Sequence, residues 1–139
     1  MIILFGGSFD PIHDGHLHLA RKILELYSPE KLYLVPAKRN PLKEKTGASG
    51  DARLEMIRLA LKEFDDERVA ALDWELKRAE PSYTLLTVQQ LLSTGASEIA
   101  VVMGNEVFAS LPQWHEPRKL LEFANIIVVT RDETIPFSP

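Results

Sequence analysis

The sequence predicts an α/β fold with a doubly wound parallel sheet, for three reasons. Five short aliphatic runs alternate with amphipathic stretches along the 139 residues, which is the β-α-β order of such sheets. The runs lack polar alternation, as is typical of strands that are covered by helices on both faces. The length suits one hydrophobic core, so we expect a single domain over residues 1–139.

Aliphatic runs and capping signals place the individual elements. We predict strands at residues 2–5, 32–36, 69–73, 99–103 and 126–130. A helix is predicted over 15–27, where apolar residues recur at helical spacing. We expect Asp51 and Ser82 to cap two further helices, Gly95 to end the second of these, and Pro117 to open a short helix that reaches Phe123.

Composition excludes several classes of protein. The formal charge is −4, so no broad basic surface is expected to coat a nucleic acid. The chain has no cysteine, which excludes disulfides, thiolate metal sites and a cysteine nucleophile. The apolar runs are too short to cross a bilayer and Met1 leads straight into a strand-like run, so we expect no membrane partner and a cytoplasmic location. The sequence leaves homo-oligomerisation open.

Two glycines and two histidines surround the junction between the first predicted strand and the first helix. Gly6 and Gly7 follow the strand, where they let the backbone approach a ligand and turn sharply. His13 and His16 are predicted to share one side of the opening turn, and Gly15 between them leaves room for phosphate oxygens. Backbone N–H groups at a helix start point toward anions. The pattern therefore predicts positioning and charge stabilisation of a transferring phosphoryl group, although it is neither a dinucleotide fingerprint nor a P-loop.

Several segments resemble one enzyme family. Residues 13–16 resemble the His-x-Gly-His signature of the nucleotidyltransferase superfamily, whose fold is Rossmann-like. The longer string at 6–17 is similar to that of nicotinate-nucleotide adenylyltransferases, whereas phosphopantetheine adenylyltransferases usually have Thr-x-Gly-His. Residues 75–84, 104–106 and 114–131 resemble later segments of the same family, in the same order, so the resemblance covers nearly the whole chain.

The resemblance implies adenylyl transfer from ATP, with Mg²⁺, to nicotinate mononucleotide, giving deamido-NAD and pyrophosphate in NAD biosynthesis. It implies that His13 and His16 are the catalytic residues and that the protein itself supplies no metal ligand. The ATP-binding residues would be His13 and His16 together with Gly6, Gly7, Ser8, Phe9, Gly104 and Glu106. The residues for the mononucleotide would be Lys43, Thr84, Trp114 and Arg131, with the pyridine ring stacked on the indole of Trp114.

Some segments depart from the family's pattern. The family's late Ser-Ser-Thr-x-x-Arg segment has no counterpart in these 139 residues, so we expect a nucleotidyltransferase domain that lacks this grip on the ATP phosphates. Leu42 and Glu106 stand where the family has His and Asp. Two alternatives therefore stay open: a related nucleotidyltransferase with another phosphorylated acceptor, and a non-catalytic nucleotide-binding module that kept the fold.

Overall fold

A five-stranded parallel sheet organises the fold. The computed structural model describes residues 1–37, 49–78 and 84–129. Its strands are β1 (Ile2–Gly7), β2 (Lys31–Pro36), β3 (Val69–Ala71), β4 (Ile99–Gly104) and β5 (Asn125–Val129). Its helices are α1 (Asp14–Tyr27), α2 (Gly50–Phe64), α3 (Trp74–Lys77), α4 (Thr84–Ser93), α5 (Asn105–Ala109) and α6 (Pro117–Phe123), with a 3-10 turn at Leu111–Gln113.

The strand order confirms the predicted doubly wound sheet. The order is β3-β2-β1-β4-β5, and every neighbouring pair is parallel. From β1 the chain adds β2 and then β3 on one side of the sheet. It then crosses back to place β4 on the other side of β1, and β5 follows at that edge. β1 and β4 are consequently the two strands whose onward connections leave in opposite directions. A crevice opens at such a switch point, beyond the carboxyl ends of the strands.

Each face of the sheet has its own hydrophobic core. Ile3 and Phe5 of β1 pack on one face with residues of α1 such as Ile23. Leu4, between them, faces the opposite way and packs with residues of α4 and α6, including Leu85 and Leu120. Adjacent strand residues point to opposite faces, so one aliphatic run serves both cores. This explains why the strands carry no polar alternation.

The predicted element bounds need three corrections. Ser49 caps α2, its hydroxyl accepting from the N–H of Ala52 at 3.1 Å, so the predicted cap Asp51 lies inside the helix. β3 ends at Ala71, and Asp73 instead precedes α3, which was not predicted. α5 and the 3-10 turn also lack a counterpart in the prediction, because they are too short for a periodic pattern to reveal. The predicted cap Ser82 lies outside the described residues.

Candidate active site

The carboxyl ends of four strands line a single cavity of about 490 Å³. β1 contributes Gly6 and Gly7 to its wall, and β4 contributes Gly104. Thr84, the first residue of α4, and Trp114 close the cavity from the other side. The structure therefore brings together five residues that the sequence predicted for two different substrates.

The two histidines cap the helix that follows β1. His13 is the N-cap of α1, and its Nδ1 accepts a hydrogen bond from the N–H of Gly15 at 3.1 Å. Nδ1 of His16 accepts in return from the N–H of His13, also at 3.1 Å. The imidazole rings stack with centroids 3.8 Å apart and an interplanar angle of 24°. This confirms the prediction that both rings share one side of the opening turn, and it shows a reciprocal capping box built from histidines.

The capping bonds determine which ring nitrogen carries the proton. A nitrogen that accepts a hydrogen bond from a backbone N–H has no proton of its own, so a neutral imidazole must be protonated at the other nitrogen. In His13 and in His16 the accepting atom is Nδ1. Both rings therefore have Nε2–H as their donor, at the positive end of the α1 helix dipole.

Gly15 is required by the ring of His13. A Cβ at position 15 would lie 2.9 Å from Cε1 and 3.0 Å from Nδ1 of that ring. The sequence predicted that Gly15 leaves room for phosphate oxygens; the structure shows that it first leaves room for the capping imidazole. Gly6 and Gly7 also differ from expectation, because both belong to β1 and the sharp turn comes later, at Phe9, with φ +48°.

The buried ring of Phe9 packs against the ring of His16. Its side chain is 2% exposed and meets Phe5 edge-on at 5.4 Å between centroids and His16 at 4.9 Å. Partial burial among these rings, followed by repulsion from His13, lowers the pKa of His16 to about 4. His16 is consequently neutral at pH 7, in agreement with its accepting Nδ1.

The lowered pKa predicts that acid destabilises the fold through His16. Unfolded His16 binds a proton near its ordinary pKa of 6.5, whereas folded His16 resists protonation until about pH 4. Between these values the unfolded state holds more protons, so the free energy of unfolding falls as pH decreases. We expect urea unfolding to show this loss for the wild-type chain and a weaker pH dependence for His16→Gln. If the free energy of unfolding fell equally with pH in the two proteins between pH 7 and 4, His16 would not be the source of the acid sensitivity.

The indole of Trp114 is held by its edge. Its Nε1–H donates to Oγ of Ser110 at 3.0 Å, and that hydroxyl donates to the carbonyl of Val107 at 2.6 Å. The ring is half-buried and lines the cavity. Because the polar edge is already bonded, the apolar face of the ring is what a ligand in the cavity would contact.

A buried polar cluster joins α3 to the start of α4. The Oγ1 of Thr87 donates to Oε2 of Glu75 at 3.2 Å and accepts from Nη1 of Arg78 at 2.9 Å. Nη2 of Arg78 also donates to Oε1 of Gln90 at 3.2 Å. Burial raises the pKa of Glu75, whereas the bond from Thr87 and the charge of Arg78 oppose that rise. These bonds hold α3 against α4 and so help to position Thr84 at the cavity.

Other predicted site residues lie elsewhere. Ser8 is exposed in the loop before α1, beside the histidines, and Glu106 is exposed on α5. Neither borders the cavity, and His13, His16 and Phe9 do not line it either. Lys43 and Arg131 lie outside the described residues. Glu75 borders the cavity but was not predicted as a site residue, although it lies in the segment 75–84 that resembles the family.

The described residues form neither a metal-binding cluster nor a membrane-spanning helix. Within residues 1–37, 49–78 and 84–129, no group of three or more His, Asp or Glu side chains is arranged to hold a metal ion. In the same ranges no helix is both long and apolar enough to cross a membrane.

The parallel sheet and its strand-end cavity define an α/β protein of the nucleotide-binding class, and the comparisons identify its family. The model of the cytidylyltransferase-like family matches residues 4–139. A probable nicotinate-nucleotide adenylyltransferase from Aquifex aeolicus is 41% identical over 95% of this chain, which spans 78% of that relative's length. A probable nicotinate-nucleotide adenylyltransferase from Legionella pneumophila is 34% identical, and this chain spans 62% of its length. The chain therefore belongs to the cytidylyltransferase-like family and, by its curated relatives, to the nicotinate-nucleotide adenylyltransferases.

Solved structures confirm the fold. A nicotinic acid mononucleotide adenylyltransferase from Plasmodium falciparum, complexed with NaAD, superposes with a TM-score of 0.74 at 22% identity. The match covers 97% of this chain and 66% of the other. A putative nicotinate-nucleotide adenylyltransferase from Vibrio parahaemolyticus gives a TM-score of 0.69 at 19% identity. These structures confirm the predicted Rossmann-like fold, while the family model and the Aquifex aeolicus relative confirm the predicted family.

Proposed function

We propose that this chain transfers the adenylyl group of ATP to nicotinate mononucleotide. The observation that carries the proposal is the reciprocal cap of His13 and His16, which leaves two Nε2–H donors at the start of α1. The ring of His16 lies 6.1 Å from the ring of Phe5, which lines the strand-end cavity. Family membership supports the choice of reaction, and the indole at the cavity supports a pyridine nucleotide as acceptor. The products are deamido-NAD and pyrophosphate.

The reaction is a single displacement at phosphorus. A phosphate oxygen of nicotinate mononucleotide attacks the α-phosphorus of ATP, and the bond from that phosphorus to the bridging oxygen breaks as pyrophosphate leaves. No covalent intermediate with the protein is needed, so the protein contributes positioning and charge stabilisation. Mg²⁺ enters with ATP as part of the substrate.

The histidines supply charge stabilisation where negative charge grows. Their Nε2–H groups donate to phosphate oxygens around the α-phosphorus, and the capping bonds hold both rings in the donating tautomer before the substrate arrives. His16 donates as a neutral group, because burial keeps it unprotonated at pH 7. A preoriented donor needs no reorganisation during the reaction, which is the main benefit of such sites.

The remaining predicted residues divide between the two substrates. The backbone of Gly6 to Phe9, with Gly104 and Glu106, contacts ATP. Thr84 and the indole face of Trp114 hold the pyridine end, where the cationic ring is attracted to the π electrons of the indole. Lys43 and Arg131 complete the proposed contacts to the mononucleotide.

The direct test is pyrophosphate release from MgATP with a panel of acceptors. We expect nicotinate mononucleotide to give a higher kcat/KM than its amide form, phosphopantetheine or a cytidylyl acceptor. A faster reaction with another phosphorylated acceptor would replace the substrate while leaving the adenylyl transfer intact. ATP binding without pyrophosphate release for any acceptor would favour a non-catalytic nucleotide-binding module.

A further inference from the structure

A buried arginine lies behind the loop that joins β1 to α1. Arg53 stands near the start of α2 and is 2% exposed. Its Nη1 donates to the carbonyl of Ser8 at 2.8 Å and to the carbonyl of Ala37 at 2.9 Å. One nitrogen thus holds two carbonyls that are far apart in the sequence, one just after the end of β1 and the other just after the end of its neighbour β2.

Burying a guanidinium at the position of Arg53 costs free energy. Burial removes water from the guanidinium, and the first turns of a helix carry positive partial charge, which repels a second positive charge. An apolar residue would fill the same space without either cost. The two carbonyls that Arg53 binds follow β1 and β2, and the N–H of Ala37 donates to the carbonyl of Gly7 at 2.8 Å. Arg53 therefore joins a set of bonds that shape the end of these strands.

The bond to Ser8 also orients the next peptide group. In a trans peptide the carbonyl and the N–H point in opposite directions. Because the Ser8 carbonyl faces Arg53, the N–H of Phe9 faces away from it. Phe9 has φ +48°, a conformation that a side-chain-bearing residue adopts at a cost and keeps only when neighbouring contacts hold it. The ring of Phe9 in turn supports His16.

We propose that Arg53 is a positioning residue for ATP binding: its guanidinium holds the loop after β1 and places a permanent positive charge behind the phosphates. The identity of the ligand rests on the proposed function. The role differs from that of the histidines, because Arg53 acts on the reacting groups indirectly, through Ser8, Phe9 and the field of its charge.

Two substitutions and a matched control test this role. Arg53→Met keeps the length of the side chain and removes its charge and its hydrogen bonds to Ser8 and Ala37, whereas Arg53→Lys keeps the charge with a different donor geometry. Arg58→Met is the control, since Arg58 lies on the same helix and is exposed, with an ion pair to Asp73 at 3.8 Å. Urea unfolding identifies conditions under which each variant is folded.

We expect the folded Arg53→Met variant to raise KM for ATP by about tenfold or more, which corresponds to ~1.4 kcal/mol of lost binding. KM for nicotinate mononucleotide should change far less, Arg53→Lys should recover part of the ATP affinity, and Arg58→Met should match the wild type. A purely structural role would lower the free energy of unfolding without this split between the two substrates. Wild-type KM for ATP in folded Arg53→Met would overturn the proposal.

A second readout does not depend on turnover. Release of Ser8 should loosen Phe9 against His16, so the pKa of His16, followed by NMR, should rise from about 4 toward 6.5 in Arg53→Met. If the wild type releases no pyrophosphate, the proposed function fails, and this titration still decides the role of Arg53 in the loop. An unchanged His16 titration would overturn that role.

Discussion

Replacing His16 by alanine is expected to lower kcat by about 10²-fold or more, with a smaller change in KM. His13→Ala should have a similar effect, because each substitution removes one Nε2–H donor and also one half of the reciprocal cap. The effect should fall mainly on kcat, since the donors act where negative charge grows in the transition state. Steady-state pyrophosphate release at saturating MgATP and mononucleotide measures it.

His18→Ala is the matched control for these two substitutions. His18 is exposed on α1, two residues after His16, and it takes no part in the cap. Its replacement should leave kcat unchanged. His13→Asn separates capping from donation, because asparagine is a good N-cap but cannot present the imidazole Nε2–H. Near-wild-type turnover in both alanine variants would remove the histidines from the mechanism.

Replacing Trp114 by alanine is expected to raise KM for nicotinate mononucleotide by about tenfold or more, because stacking on a cationic ring contributes roughly 1–2 kcal/mol. KM for ATP should change much less, since Trp114 is assigned to the pyridine end of the cavity. Trp114→Phe should keep part of the affinity through its ring, although it cannot donate to Ser110. Initial rates with each substrate varied in turn measure both constants.

Phe108→Ala provides the control for loss of an aromatic side chain. Phe108 is exposed on α5, close to Trp114 in the sequence, but does not border the cavity. Both KM values should stay at their wild-type level in this variant. If Trp114→Ala raised the two KM values equally, the indole would support the shape of the cavity as a whole and would not select the pyridine ring.

The number of strands and their positions along the chain could be predicted from the sequence because each strand here is a local pattern. Five aliphatic runs separated by amphipathic segments suffice for a parallel α/β sheet, and all five predicted strands are present. The Gly-Gly and His-x-Gly-His segments indicated a phosphate site in the first loop, and the resemblance indicated the family, which the relatives confirm. The ends of helices and strands were less well predicted, as the cap expected at Asp51 and the end expected for β3 show. Neighbouring residues compete to cap a helix or end a strand.

The tertiary structure decided how the site is held together. The spacing of His13 and His16 predicted that they are neighbours. Only the backbone conformation shows that Nδ1 of His13 accepts from Gly15 and Nδ1 of His16 from His13, which fixes the tautomer of each ring. Arg53 bonds to Ser8 across 45 residues, and Glu75 bonds to Thr87 across 12. Local patterns carry no information about such pairs, because the distance between their side chains depends on how whole helices pack on the sheet. The sequence by itself therefore determined the fold class and the family and indicated where the proposed phosphate site lies, whereas packing determined the bonds that orient the side chains there.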